Sequence, residues 1–295
     1  VNDMPNAHID PTLTPPPTTA HHTQRASHPD DAGYRIEHPS ALDVLRDLHI
    51  PSADPGPGDH VPSFDLATVD GGRFASDQFD GHGRPVLLVF GSLTCPITES
   101  AGDGLVELHR TYGNSVRFVV VNVREAHPGE HTPQPTTIEA KTRHATRLRE
   151  HHGMDFEVAV DDVDGTLHRA FGTRPSSAYL IDPAGVIVFR AHWSNLTGDL
   201  DAALAAVTSG RPIANPAVGG TLRAMTKMTG HASTAFQSAG SGAMADTWRA
   251  APPFAAMIAI SRLFGFLPKN RRGVPTMLTM AAAMTVVVAV IVAAW

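Results

Sequence analysis

The chain holds a single cysteine, Cys95, in the segment Phe90-Gly91-Ser92-Leu93-Thr94-Cys95-Pro96. That segment leaves a continuous apolar run, Val86 to Phe90, and enters a stretch with helical spacing at Leu105, Val106, Leu108, His109 and Tyr112. A cysteine at such a junction faces the unpaired N–H groups of the first helical turn. Their partial positive charge favours thiolate over thiol, so a lowered pKa and a nucleophilic Cys95 are expected. Pro96 suits the first helical position because the helix makes no use of the N–H it lacks. Gly91 and Ser92 let the backbone turn tightly. The plain alternative is an inert, buried small residue.

One cysteine allows neither an intramolecular disulfide nor a cysteine-rich metal cage. Thr98 stands where a Cys-x-x-Cys motif would carry its second thiol. Reduction must then come from an external thiol, or from Cys95 of another chain. Glu99 is placed one helical turn beyond Cys95, where its charge would oppose a thiolate; on that placement Glu99→Gln would lower the thiol pKa.

A second run, Arg117 to Val123, ends in Arg124-Glu125-Ala126-His127. Functional groups in a parallel sheet collect beyond the C-terminal ends of its strands. If the two runs are neighbouring strands, His127 opens on the same edge as Cys95 and can act as general acid or base. Arg124 can hold an anionic group or stabilise the thiolate, with Glu125 beside it. A solvated loop is the alternative for all three.

These residues need a scaffold, and the sequence from Pro55 to residue 209 reads as one. The two apolar runs suit buried parallel strands. Residues 137–151 read as a helix, Phe156 to Val160 as a third strand, and Asp164 to Phe171 as a short helix. Ser177 to Ile181 and Val186 to Arg190 flank Asp182-Pro183-Ala184-Gly185, a hairpin signal, and Leu196 to Val207 forms a closing helix. Strand–helix–strand followed by helix, hairpin and helix is the order of a thioredoxin-like α/β fold, a central mixed sheet flanked by helices. In that fold the proline before the hairpin, here Pro175 after Arg174, is often cis and faces the reactive sulfur; an ordinary loop proline is the other reading.

Around this domain the composition changes. Residues 1–33 are rich in Pro, Thr, His and Asp and are expected to be disordered. His21-His22 could touch a metal, though a solvated polar tail is the simpler reading, and no metal is expected elsewhere. Residues 34–54 form a linker with a short helix at 40–49. Between Arg211 and Gly273 eight basic residues face the single acid Asp246, a net +7 that leaves −13 for the rest of a chain totalling −6. The acidic part does not look like a nucleic-acid binder. The basic part, 210–273, suits an anionic membrane surface, and within it 254–267 is apolar enough to lie on or in a membrane. Residues 274–295 carry no charge and reach the ~20 residues that cross a bilayer core. Lys269, Arg271 and Arg272 precede them, so a single-pass C-terminal anchor with the redox domain in the cytoplasm is expected.

The stretch from Pro85 to His127 resembles the iodothyronine deiodinase family of the thioredoxin-fold superfamily. The resemblance lies in Gly91-Ser92-Leu93-Thr94-Cys95-Pro96, where that family has Gly-Ser-x-Thr before selenocysteine or, in bacterial relatives, cysteine, and in Glu125-Ala126-His127 after the next strand. It implies Cys95 as the nucleophile and His127 as proton donor or substrate contact. It also implies Ser92, Thr94 and Pro96 in support, no cofactor, and an external thiol or thioredoxin-type protein as reductant. Pro57-Gly58-Asp59-His60-Val61-Pro62-Ser63-Phe64 with Asp70-Gly71-Gly72 also looks like the opening of peroxiredoxin-type domains, which place Ser or Thr where Ser92 stands. The expected function is a membrane-tethered, deiodinase-like thiol oxidoreductase acting on a small molecule. A one-cysteine peroxidase and a non-enzymatic binding module are the alternatives.

Overall fold

Two buried strands set the architecture. In the computed structural model, which describes residues 33–295, the chain forms α1 (Ala41–Asp47), the small hairpin β1 (Asp65–Ala67) and β2 (Arg73–Ala75), and then β3 (Val86–Gly91). α2 (Pro96–Tyr112), β4 (Arg117–Asn122), α3 (Ile138–His152), β5 (Glu157–Val160) and α4 (Thr166–Ala170) follow. β6 (Ala178–Ile181), β7 (Ile187–Ala191) and α5 (Thr197–Thr208) close the region expected from sequence. The tail expected to be disordered lies outside the described residues.

Every residue of β3 is buried, as an apolar strand covered on both faces requires. β3 pairs in parallel with β4, Val86 opposite Arg117 through Gly91 opposite Asn122, so both strands end at the same edge. β5 extends the parallel side and β6 pairs antiparallel with β3. β6 turns into antiparallel β7, where the Asp182 carboxylate accepts the N–H groups of Ala184 and Val186, both at 2.9 Å, and so holds the turn. Leu105 and Leu108 of α2, Leu148 of α3 and Leu200 and Leu204 of α5 pack on one face of the sheet. Phe74, Leu167 and Phe171 pack on the other. This is the thioredoxin-like fold.

Residues 210–273, expected to lie along a membrane surface, belong to the folded unit. β8 (Ala217–Val218) joins the sheet edge parallel to β7, completing the order β5-β4-β3-β6-β7-β8. α6 (Thr221–Met228), α7 (Ala232–Ala239), α8 (Ser241–Ala250) and α9 (Pro252–Ser261) follow, and Tyr34–Trp295 form one compact unit. α10 (Gly273–Ala293) follows; within the span Lys269–Ala293 an 18-residue stretch reaches a mean hydropathy of 2.3, and the helix is long and apolar enough to cross a membrane. Its side chains from Val288 to Val292 are exposed, while Met277 and Met280 pack with α6 and α9.

The basic residues ahead of α10 are partly engaged by the protein. Lys269 Nζ lies 3.5 Å from a Glu99 oxygen, and Arg272 donates to the carbonyls of Leu267 (2.8 Å) and Gly265 (2.9 Å). The Lys269 carbonyl sits so close to Gly230 that a Cβ there would stand 1.9 Å from it. Gly230→Ala is therefore expected to lower unfolding stability by about 1–3 kcal/mol and to speed alkylation of Cys95 beneath these helices. Denaturant unfolding and thiol labelling of the full chain in detergent check it; no change in either would contradict this packing.

Candidate active site

Cys95 caps α2 in an extended conformation (φ −89°, ψ 118°), with Pro96 as the first helical residue. Its carbonyl accepts the Glu99 N–H at 2.9 Å. The loop before it is buried from Ser92 to Thr94 and is tied residue by residue to the loop after β4. The Thr94 N–H and hydroxyl both donate to Glu125 Oε2, at 3.0 and 2.7 Å. The Thr94 hydroxyl oxygen accepts the His127 N–H at 3.2 Å, and Ser92 Oγ accepts the Ala126 N–H at 3.2 Å.

Glu125 is 1% exposed, and its other oxygen lies 2.9 Å from His144 Nδ1 on α3. Gln134 completes the clamp, accepting the Glu125 N–H (3.0 Å) and donating to its carbonyl (2.8 Å). Nothing in the sequence singles out Gln134 or His144. Their role follows from a buried carboxylate that needs partners, and neither spacing nor composition shows which helix supplies them.

Three expectations change. Burial pushes the Cys95 thiol up; hydrogen bonding from Thr98 and Ile97 acts downward but does not offset it, and the charge of Asp47 adds to the rise. The helix start is present, and desolvation outweighs it. The Arg174–Pro175 bond is trans. The Pro175 loop still borders the first turn of α2, since Ser176 Oγ lies 3.5 Å from Thr98 Oγ1. Arg124 is held by Tyr34: its Nη1 donates to the Tyr34 carbonyl at 2.9 Å, and its guanidinium sits 5.4 Å from the ring centre. Glu99 stands one turn past Cys95 as expected, with its carboxylate turned to His151 (2.7 Å) and Lys269.

Part of the apolar cover over Cys95 comes from the C-terminal helices. Cys95 and Ile97 share one apolar cluster with Trp193, Leu196, Ala224, Met228 and Met257, and Phe254 and Ala126 pack against it. His127 also meets Phe254, its ring centre 6.0 Å from that of Phe254 and 4.8 Å from that of Phe236. Although His127 keeps some accessible surface, the protein around its ring pushes its pKa down to about 4, so it is neutral at neutral pH. The cavity it lines with Pro39, Val44, Thr247 and Phe254 has a volume of ≈ 10 Å³, about what one water needs. A substrate reaches Cys95 only when this roof moves.

The geometry thus brings Cys95, Ser92, Thr94, Glu125 and His127 to one end of a thioredoxin-like sheet, an arrangement suited to thiol chemistry. Residues 57–190, which include both loops, match the AhpC/TSA family. Thyroxine 5-deiodinase from Gallus gallus is 26% identical over 162 residues, 52% of this chain and 60% of that protein, so the chain spans less than two thirds of that relative. Among solved structures, an uncharacterized conserved protein from Geobacillus kaustophilus is 21% identical with a TM-score of 0.44, over 57% of this chain and 94% of that one. Peroxidoxin BcpB from Mycobacterium tuberculosis is 16% identical with a TM-score of 0.40, over 53% and 99%.

Two outcomes follow. Glu125→Ala strands the Thr94 donors and His144 in the interior and is expected to cost about 2–4 kcal/mol of stability, with Thr94→Val costing less; denaturant titration measures both. For His127, the folded pKa of about 4 lies below the ordinary histidine value of 6.5. The unfolded chain therefore binds more protons between these values, and stability falls as pH drops from about 6.5 to about 4. His127→Phe should make that decline shallower, each unit of separation being worth about 1.4 kcal/mol. An unchanged slope would contradict a neutral, buried His127.

Proposed function

We propose that this chain is a membrane-tethered, thiol-dependent oxidoreductase in which Cys95 attacks an apolar, ring-bearing small molecule, by preference an iodinated phenol. The observation that carries this reading is the roof over Cys95. Cys95 shares an apolar cluster with Trp193, Met228 and Met257, against which Phe254 packs, and such polarisable and aromatic surface suits an aromatic ring better than a peroxide. The resemblance of the Cys95 and His127 segments to deiodinases points the same way.

In the proposed reaction the roof opens, water returns, and the start of α2 supports the thiolate. Sulfur takes the iodine, forming an S–I bond; the ring carbon keeps the bonding pair and gains a proton. An external thiol displaces iodide from sulfur as a mixed disulfide, and a second thiol frees Cys95. The net change is C–I to C–H, with two thiols oxidised to one disulfide and iodide and a proton released. His127 stands near as a neutral imidazole that contacts the ring hydroxyl or passes the proton. α10 holds the enzyme in the membrane, with the redox domain on the cytoplasmic side, and a thioredoxin-type protein or small thiol is the reductant.

The match to the AhpC/TSA family favours a second reading. There Cys95 attacks the O–O bond of a peroxide, becomes a sulfenic acid with release of an alcohol or water, and is restored by two thiols with loss of water.

The full chain in detergent, supplied with dithiothreitol and an iodinated phenol, tests both. Iodide release that falls to background in Cys95→Ser supports the first reading. Cys95-dependent peroxide consumption without iodide release replaces it with the second. Neither activity in a folded protein overturns the enzymatic reading.

A further inference from the structure

α2 continues past Cys95 to a second cluster of side chains that the thiol chemistry does not use. The Glu99 carboxylate meets the C-terminal end of α3, where Oε2 lies 2.7 Å from His151 Nε2 and 3.9 Å from His152 Nε2. One donor atom from each of the three lies within 4.8 Å of the other two.

His152 is the informative member. Its side chain is 6% exposed and that of Glu99 7%, yet the Nε2 to Oε2 separation of 3.9 Å is beyond hydrogen-bond reach. α2 carries a glycine where the ring lies: a Cβ at Gly102 would stand 2.1 Å from His152 Nδ1. The fold thus makes room against the active-site helix for an imidazole that aims at a carboxylate without bonding to it. A Glu–His hydrogen bond accounts for His151 and leaves His152 unexplained. An ion accounts for both. Donors about 2.0–2.2 Å from a tetrahedral metal stand roughly 3.4 Å apart, between the two separations seen.

We propose that Glu99, His151 and His152 bind one divalent ion of the zinc class, whose affinity for imidazole with carboxylate matches this donor set. Three protein donors leave the fourth tetrahedral position for water. Asp103 acts on His152 as a further negative charge. The competing cation is Lys269, 3.5 Å from Glu99 Oε1 and 45% exposed, hence free to swing into solvent. Because Lys269 opens the turn leading into α10, the ion replaces the contact that ties this turn to α2. The inference stands apart from the reaction proposed for Cys95.

The test is titration of the metal-stripped full chain in detergent with Zn²⁺, in a background where His21 and His22 are replaced by Asn. One equivalent should bind. His152→Asn and Glu99→Gln should each weaken binding by at least about 10-fold. Lys269→Met should strengthen it several-fold, a gain that misfolding cannot produce. Co²⁺ in place of Zn²⁺ should give the visible absorption of a four- or five-coordinate ion, lost in His152→Asn. No binding in this background, binding of equal affinity in His152→Asn, or no gain in Lys269→Met overturns the proposal.

Discussion

A buried carboxylate organises the Cys95 end of this molecule. Removing Glu125 from water is costly unless its oxygens are paired, and the pairing is what aligns the site. One oxygen takes both donors of Thr94 and the other faces His144. Hydrogen bonds to a carboxylate are shorter and stronger than neutral ones, so the residue before Cys95 is fixed to the loop after β4 and to α3 together. The Ser92–Ala126 and Thr94–His127 bonds then bring the two loops into register. The parallel pairing of β3 and β4 places both loops at one edge; the carboxylate turns that proximity into a defined geometry.

Much of this was legible in the sequence, and the illegible part has a common cause. Cys95 at the start of a helix followed from an apolar run, a Gly-Ser turn and Pro96, all within a few residues. The hairpin followed from Asp182-Pro183-Ala184-Gly185. The ionisation of Cys95 did not follow, because part of the apolar cluster that buries it, Met228 and Met257, lies more than a hundred residues away in short helices rich in Ala, Met and Thr. At eight and ten residues these helices are too short for their periodicity to stand out, so residues 210–273 read as a basic approach to a membrane. Arg124 read as an anion holder for a similar reason: its actual partner, Tyr34, arrives from the far end of the described chain.

The thiol is governed by two opposed local effects. Hydrogen bonding from Thr98 and the backbone of Ile97 lowers its pKa, and apolar burial raises it. Covered, the sulfur is held as a thiol, which is a poor nucleophile and a poor target for oxidants. Uncovered, the same helix start acts on it without the desolvation that opposes it. The roof therefore sets reactivity as well as access, and motion of the roof changes both in the same direction.

That motion has an identifiable handle. α10 packs Met277 and Met280 with the helices that share the Cys95 cluster, while its residues Val288 to Val292 are exposed among the described residues. At 1.5 Å per residue its 21 residues form a rod about 30 Å long. A force on the exposed half is carried to the packed half as a rigid tilt, because the helix satisfies its own backbone hydrogen bonds and contains no proline beyond its first turn. The tether between them is short and specific: Lys269 reaches Glu99, one turn past Cys95, and its carbonyl rests against Gly230. A tilt of α10 would therefore be felt first at the helices packed against Cys95 and at the exposed Lys269–Glu99 contact.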